Sequence, residues 1–181
     1  MRAAPVLFIF VAIAGCATSG PSAGSSASAS ASTSPASARA VMHDQSGREL
    51  GTLTLSESGQ GFVTTGTLQH LAPGIHGIHI HTVGSCEGTF TSAGGHWNPT
   101  GKQHGFENPM GPHLGDLQNI TAGADSTAEI AVSNRGGGIL RGVGGLLDTD
   151  GAAVVVHAGP DDYRSDPAGN SGARIACGVL R

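Results

Sequence analysis

Short runs in which apolar residues alternate with small or polar ones leave this chain little choice but β-structure. Leu50-Gly51-Thr52-Leu53-Thr54-Leu55 is one such run, and others lie at Gly61 to Leu68, Ala128 to Val132 and Ala152 to Val156. Residues two apart on a strand share a face, so each run can turn one apolar face to a core. Turn-forming pairs separate the runs: Ser46-Gly47, Ser58-Gly59 and Asp150-Gly151. No apolar period of 3.6 residues is sustained in the same stretch. The pattern predicts short antiparallel strands joined by hairpins, in a sandwich or barrel.

The N-terminal part reads differently. Arg2 gives a short positive start, Pro5–Ala14 is apolar, and Ile13-Ala14-Gly15-Cys16 closes the segment. An apolar run that short does not reach the roughly 20 residues a membrane-spanning helix needs. It reads as a processing segment, residues 1–16. Ile-Ala-Gly-Cys resembles the lipobox of bacterial lipoproteins, which implies cleavage before Cys16 and lipidation of that residue. More than one acyl chain would anchor the protein stably to a membrane. Ala17, the next residue, points to the outer membrane in a Gram-negative envelope. Residues 17–40 are almost wholly Ser, Ala, Gly, Thr and Pro, with Arg39 the one charge, and read as a flexible tether. Residues 41–181 are left as one domain.

The net charge is −4, and no cluster of Lys or Arg interrupts it. That argues against a nucleic-acid partner. Three cysteines is an odd number, and lipidation of Cys16 accounts for the odd one. Cys86 and Cys177 remain. Export would place them where a disulfide persists, although two buried thiols fit the count equally. A bridge would close a loop of about 90 residues, worth roughly 4–5 kcal/mol in the chain-entropy model.

Histidine placement carries the chemistry. His79 and His81 sit two apart, so on a strand they share one face, with Ile78 and Ile80 on the other. Such a pair is half a metal site, but also a pattern that strand faces carry by chance. His96, His104 and His113 follow at intervals of eight and nine, with Asp116 three further on. Gly, Pro, Asn and Lys make up most of the chain between them, which is loop chemistry. A long irregular loop in a compact domain needs something to hold it. Three imidazoles and a carboxylate make a closed tetrahedral set suited to zinc. His157 ends the apolar run Val154-Val155-Val156. Alone it reads as a core histidine; beside His79 and His81 it reads as a third ligand of an imidazole-rich site suited to Cu(II).

Four segments, in order, carry a specific resemblance. Gly77-Ile78-His79-Ile80-His81-Thr82-Val83-Gly84 and Gly169-Asn170-Ser171-Gly172-Ala173-Arg174-Ile175-Ala176-Cys177-Gly178 resemble the two signatures of the copper/zinc superoxide dismutases. Thr91-Ser92-Ala93-Gly94-Gly95-His96-Trp97-Asn98-Pro99 and His113-Leu114-Gly115-Asp116-Leu117 match as well. The resemblance spans residues 40–181. It implies an all-β fold, a Greek-key β-sandwich or flattened barrel of eight antiparallel strands with long metal-binding loops. It implies one copper and one zinc ion per subunit. Copper would be held by His79, His81, His96 and His157, and zinc by His96, His104, His113 and Asp116, with His96 bridging the two.

By the same resemblance, Cys86 and Cys177 form the disulfide, and Arg174 stands beside the copper as a catalytic residue with His96. Asp161 links His79 to His104 behind the metals, and His76 is structural. His43 and His70 match nothing and read as surface residues. The implied activity is dismutation of superoxide to oxygen and hydrogen peroxide by a redox-cycling copper next to a structural zinc. Its setting would be the periplasmic side of the cell envelope, which it would protect. A non-enzymatic copper/zinc-binding lipoprotein of the same fold is the alternative. Bacterial relatives include monomers and dimers, so a homodimer stays open. The chain departs from the animal cytosolic enzymes in a shorter, lysine-free segment between His157 and Arg174, and in Ala168 where many members carry threonine. Both bear on how substrate is steered, with Lys102 a candidate for the rim.

Overall fold

The computed structural model describes residues 36–58, 61–134 and 145–181. The processing segment, Cys16 and the tether up to residue 35 lie outside the described residues. Among the described residues there are nine strands. They are β1 (Ser37–Asp44), β2 (Glu49–Ser58), β3 (Gly61–Leu68), β4 (Gly74–His76), β5 (Ile78–His81), β6 (Ile120–Ala122), β7 (Ala128–Ser133), β8 (Ala153–His157) and β9 (Arg174–Val179). One 3-10 turn, Thr91–Ala93, is the sole helical element among them.

Seven strands form an antiparallel sheet in the order β5-β8-β9-β1-β2-β3-β7, while β4 pairs with β6. β4 and β5 are one run of chain that changes partners at Gly77: His76 pairs with Ile120 of β6, and Ile78 pairs with Val156 of β8. Counted as one strand, they give the eight that the resemblance implies. β6 packs beside β7. The two ends of the long sheet are thereby brought round to each other through β4 and β6, making a flattened barrel. β7 lies beside β3, and β9 lies beside β1, which are the non-sequential neighbours of a Greek key.

The alternation does what period-2 chemistry requires. Met42, Leu53, Leu55, Phe62, Leu68, Ile78, Ile80, Val154 and Val156 are fully buried in one core. Each such side chain contributes about 1.5–3 kcal/mol by leaving water. Leu50 and Leu53 lie three apart yet both face inward, because the register of β2 against β1 slips between Met42 and His43. A bulge of that kind inserts one extra residue and restores the facing. β1 opens at Ser37, inside the stretch read as tether. Its inward residues are Ala38 and Ala40, each fully buried, whose small side chains look like linker composition in the sequence.

β5 departs from a half-exposed strand. Ile78 and Ile80 join the core, while His79 and His81 on the other face are also buried. Loops cover that second face, and they carry the rest of the site.

Candidate metal centre

β5 is the frame on which both halves of the site are hung. On one side it pairs with β8, setting His79 opposite Val155 and His81 opposite Ala153. Its other edge takes two loop segments instead of a strand. Ile80 N–H donates to Gly115 O, Gly115 N–H to Trp97 O, and Trp97 N–H to Ile80 O, all at 2.8 Å. This three-way lacing sets His96 beside His81 and Asp116 beside His79. Gly115 is required for it: a Cβ there would strike Ile80 O and come within 2.9 Å of Trp97 N. His157 arrives from the end of β8, where the register against β9 shifts between Val156 and His157. Such a shift re-aims a side chain at a strand end.

His79, His81, His96 and His157 bring one ring nitrogen each within 4.8 Å of one another. Those nitrogens are His79 Nδ1, His81 Nε2, His96 Nε2 and His157 Nε2, and all four are buried without a hydrogen-bond partner. Burying unpaired polar atoms is costly, so four that converge ask for a shared electrophile. The opposite nitrogen of three rings is satisfied. His79 Nε2 lies 2.6 Å from Asp161 Oδ2, His81 Nδ1 lies 2.9 Å from Gly94 O, and His157 Nδ1 lies 3.1 Å from Gly172 O. An acceptor behind a ring fixes the N–H on that side and turns the lone pair inward, as a metal ligand requires.

His96, His104, His113 and Asp116 form the second group. Asp116 Oδ1 lies 2.9 Å from His96 Nδ1, 3.0 Å from His104 Nδ1 and 3.3 Å from His113 Nδ1, and the last is 3.5 Å from His96 Nδ1. Tetrahedral zinc with bonds of about 2.0–2.1 Å sets its ligand atoms about 3.3 Å apart. These separations straddle that edge. The other oxygen, Asp116 Oδ2, accepts the backbone N–H of Gly105 and of His113, which fixes the carboxylate. His96 belongs to both groups, with Nε2 in one and Nδ1 in the other.

Asp161 joins them from behind, with Oδ2 on His79 Nε2 and Oδ1 on His104 Nε2 at 2.9 Å. Asn119, which nothing in the sequence singled out, holds it there. Its amide oxygen accepts Asp161 N–H and its amide nitrogen donates to Asp161 O, both at 2.9 Å. The carbonyls of Gly94 and Gly172 were also beyond sequence reading, because every residue carries one.

Electrostatics separate the two groups. Burial pushes His79 down to about 3, His81 to about 2 and His157 to about 4, each deepened by neighbouring imidazoles. Burial also lowers His96, outweighing Asp116. Burial would lower His104 too, but hydrogen bonds to Asp116 and Asp161 overcome it and lift the ring to about 9. Burial would raise both carboxyls; their bonds to His104 and its neighbours instead hold them well below the usual carboxylate range.

Arg174 reaches the site from the start of β9. Its Nη1 donates to Phe90 O at 2.6 Å and its Nη2 to Gly94 O at 2.7 Å. It lines a cavity of about 290 Å³ with His81, His96, His157, Pro167 and Ala168. Lys102 is exposed and is not among the lining residues. Cys86 and Cys177 are disulfide-bonded with Cα atoms 5.8 Å apart, which ties the 86–94 loop to the strand that carries Arg174. His76 is buried with its ring nitrogens 2.8 Å from His157 O and Ala72 O, a structural position. His70 is exposed, while His43 is half-buried in β1.

The family model for copper/zinc superoxide dismutase (SODC) matches residues 49–180. Superoxide dismutase (Cu-Zn) of Caulobacter vibrioides is 44% identical over 153 residues, covering 80% of this chain and 86% of that protein. Superoxide dismutase (Cu-Zn) 2 of Aquifex aeolicus is 42% identical over 147 residues, with the same coverage, 80% and 86%. Among solved structures, a double mutant of a SOD-like protein from Bacillus subtilis superposes with a TM-score of 0.73 at 41% identity, covering 78% of this chain and 95% of that one. The match runs from β2 through β9 and takes in every histidine of both groups, so the chain belongs to the copper/zinc superoxide dismutase family, enzymes that bind copper and zinc.

Proposed function

We propose that His79, His81, His96 and His157 hold copper, that His96, His104, His113 and Asp116 hold zinc, and that the chain dismutes superoxide at the copper. The observation that carries this reading is the convergence of four buried, unpartnered imidazole nitrogens, one of them on a ring whose other nitrogen belongs to the carboxylate group. Four neutral imidazoles suit Cu(II), and three imidazoles with a carboxylate suit zinc.

When bound, copper supplies the one-electron couple by which one superoxide leaves as oxygen and a second, with two protons, leaves as hydrogen peroxide. The rest falls to the chain. Arg174, cationic at any working pH, draws the anion into the cavity and holds it beside the imidazoles. The net charge of −4 repels superoxide at long range, so the local field at Arg174 has to prevail. Electrostatic focusing of this kind raises on-rates about 10–10³-fold, a magnitude known from this enzyme class itself. His96 Nε2 lies among the nitrogens of His79, His81 and His157 and is the atom suited to hand a proton to the departing product, while Nδ1 keeps the ring in place. Asp161 keeps His79 and His104 in one orientation.

The reading extends to the N-terminus. Cys16 carries the lipid, residues 17–35 form the tether, and the enzyme works on the periplasmic side of the envelope, anchored in the outer membrane, where it removes superoxide. The motif Ile13-Ala14-Gly15-Cys16 supports this, as does a disulfide that an oxidising compartment preserves. Mass spectrometry of the protein from its host membrane tests the acylation.

Metal analysis with a superoxide assay tests the enzyme. The mature domain is expected to hold one copper and one zinc per chain, to be inhibited by cyanide, and to lose activity when copper is removed. Copper-loaded protein that is inert would instead make it a metal-binding protein without the activity.

A further inference from the structure

Every ligand ring with a nitrogen to spare has an oxygen behind it, with one ring less obviously served. His79 and His104 have Asp161, His81 has Gly94 O and His157 has Gly172 O, at 2.6–3.1 Å. His96 spends both nitrogens on the two groups. His113 turns Nδ1 toward Asp116, leaving Nε2 outward, and the carboxylate behind it is Asp166, with Oδ1 at 3.8 Å. That is too long for a hydrogen bond but within ion-pair reach. The same Oδ1 accepts the backbone N–H of His104 at 2.6 Å.

We propose that Asp166 is a positioning residue for the zinc half of the site, fixing the backbone of His104 and placing a carboxylate charge behind His113. The inference rests on the zinc assignment above. A ligand imidazole binds better when its far N–H is directed at a carboxylate, which sets its tautomer and raises its basicity. Asp166 stands on that side of His113 at ion-pair range while holding the main chain of His104. It is also the residue before Pro167, which with Ala168 lines the substrate cavity. The cavity wall and two zinc ligands thus meet at one carboxylate.

Other contacts join the same two loops without touching a ligand side chain. Arg164 pairs with Glu107, its Nε at 2.7 Å from Oε2, and Glu107 N–H donates to Tyr163 O at 2.9 Å. They provide the control, since loop docking alone would make Arg164 as important to zinc as Asp166.

The test uses the full chain with zinc affinity read by competition with a chromogenic chelator, and cobalt(II) as a spectroscopic probe of the zinc site. Asp166→Ala should lower zinc affinity about 10–100-fold, the range for loss of a partner behind a ligand, and shift the cobalt bands. Asp166→Asn keeps an acceptor for His104 N–H but no charge behind His113, and should fall between Asp166→Ala and the parent. Arg164→Ala should leave affinity and spectrum unchanged. The proposal is overturned if Asp166→Asn equals the parent, if Asp166→Ala does, or if Arg164→Ala loses as much zinc as Asp166→Ala. If Asp166→Ala does not fold, Asp166→Asn decides alone. Failure of the zinc assignment looks different: His113→Ala would then give the parent's cobalt spectrum.

Discussion

The two imidazole groups share His96 but are built by opposite means. His79, His81 and His157 hang from β5 and β8, whose pairing fixes them before any metal arrives. Burial strips these rings of charge, down to about 3, 2 and 4, and leaves lone pairs facing one another. His104, His113 and Asp116 come from chain without a strand of its own, laced to the edge of β5 through Trp97 and Gly115. Here a carboxylate gathers the rings, and His104 is lifted to about 9. Strands can hold neutral groups that gain nothing from one another. A loop needs an attraction of its own, and the buried carboxylates Asp116 and Asp161 provide it.

The sharpest way to break this contrast is to empty one half and watch the other. His157→Ala should abolish dismutation while zinc content stays at the parent level, measured by metal analysis with a superoxide assay. Zinc lost in parallel would mean that the halves are not separately built.

Gly169→Ala attacks what joins them. Gly169 has φ +63°, and a Cβ there would overlap Asp161 Oδ1 and come within 2.7 Å of His104 Nε2. Displacing Asp161 should cost about 10–100-fold in zinc affinity and also alter the copper electron-paramagnetic spectrum through His79. A change confined to zinc would show that Asp161 serves only the loop half.

Arg174→Ala leaves both groups standing. It should slow dismutation about tenfold, at the lower end of electrostatic focusing, and flatten its dependence on ionic strength. Metal loss in that variant would place Arg174 in the scaffold of the site.

The subtlest effect is in the metal-free protein. His79, His81 and His157 have folded values below the unfolded 6.5, so the unfolded chain binds more protons between about 3 and 6.5, and stability falls as pH falls through that window. Asp116 and Asp161, held low in the fold, add to the loss at the acid end. His104 runs the other way: its contribution is complete below 6.5 and is lost as pH rises through about 9. Thermal unfolding of the metal-free domain should therefore peak near pH 6.5. A midpoint that changes monotonically from pH 5 to 9 would undo the electrostatic half of the contrast.

What could be read from residues alone follows the same division. The alternating runs became β2, β3 and β7, the run Ala152 to Val156 became β8, buried on both faces, and the His-x-His run became β5. β4 and β6 are three residues each, too short for a period to declare itself. Arg174–Val179 mixes half-buried and buried residues without clean alternation, so β9 was visible only as a motif. The ligand types stood out because the imidazoles recur at close intervals and most lie in segments that match in order. What stands behind them did not. Carbonyls of Gly94 and Gly172 leave no mark in a sequence, and Asn119 and Asp166 acquire their roles only when loops distant along the chain are brought together.

The partner switch at Gly77 sets how the chain can change length. His79 and His81 reach the metal face by strand parity, counted from the point where β4 gives way to β5. One residue inserted between His76 and His79 would turn both imidazoles into the core and send Ile78 and Ile80 toward the metal. The same insertion between Phe106 and Gly111 would disturb the exposed contacts of Glu107 and Asn108 but would change no ligand's strand parity. Insertions and deletions can therefore accumulate around the zinc loop while the β4–β5 run keeps its length to the residue.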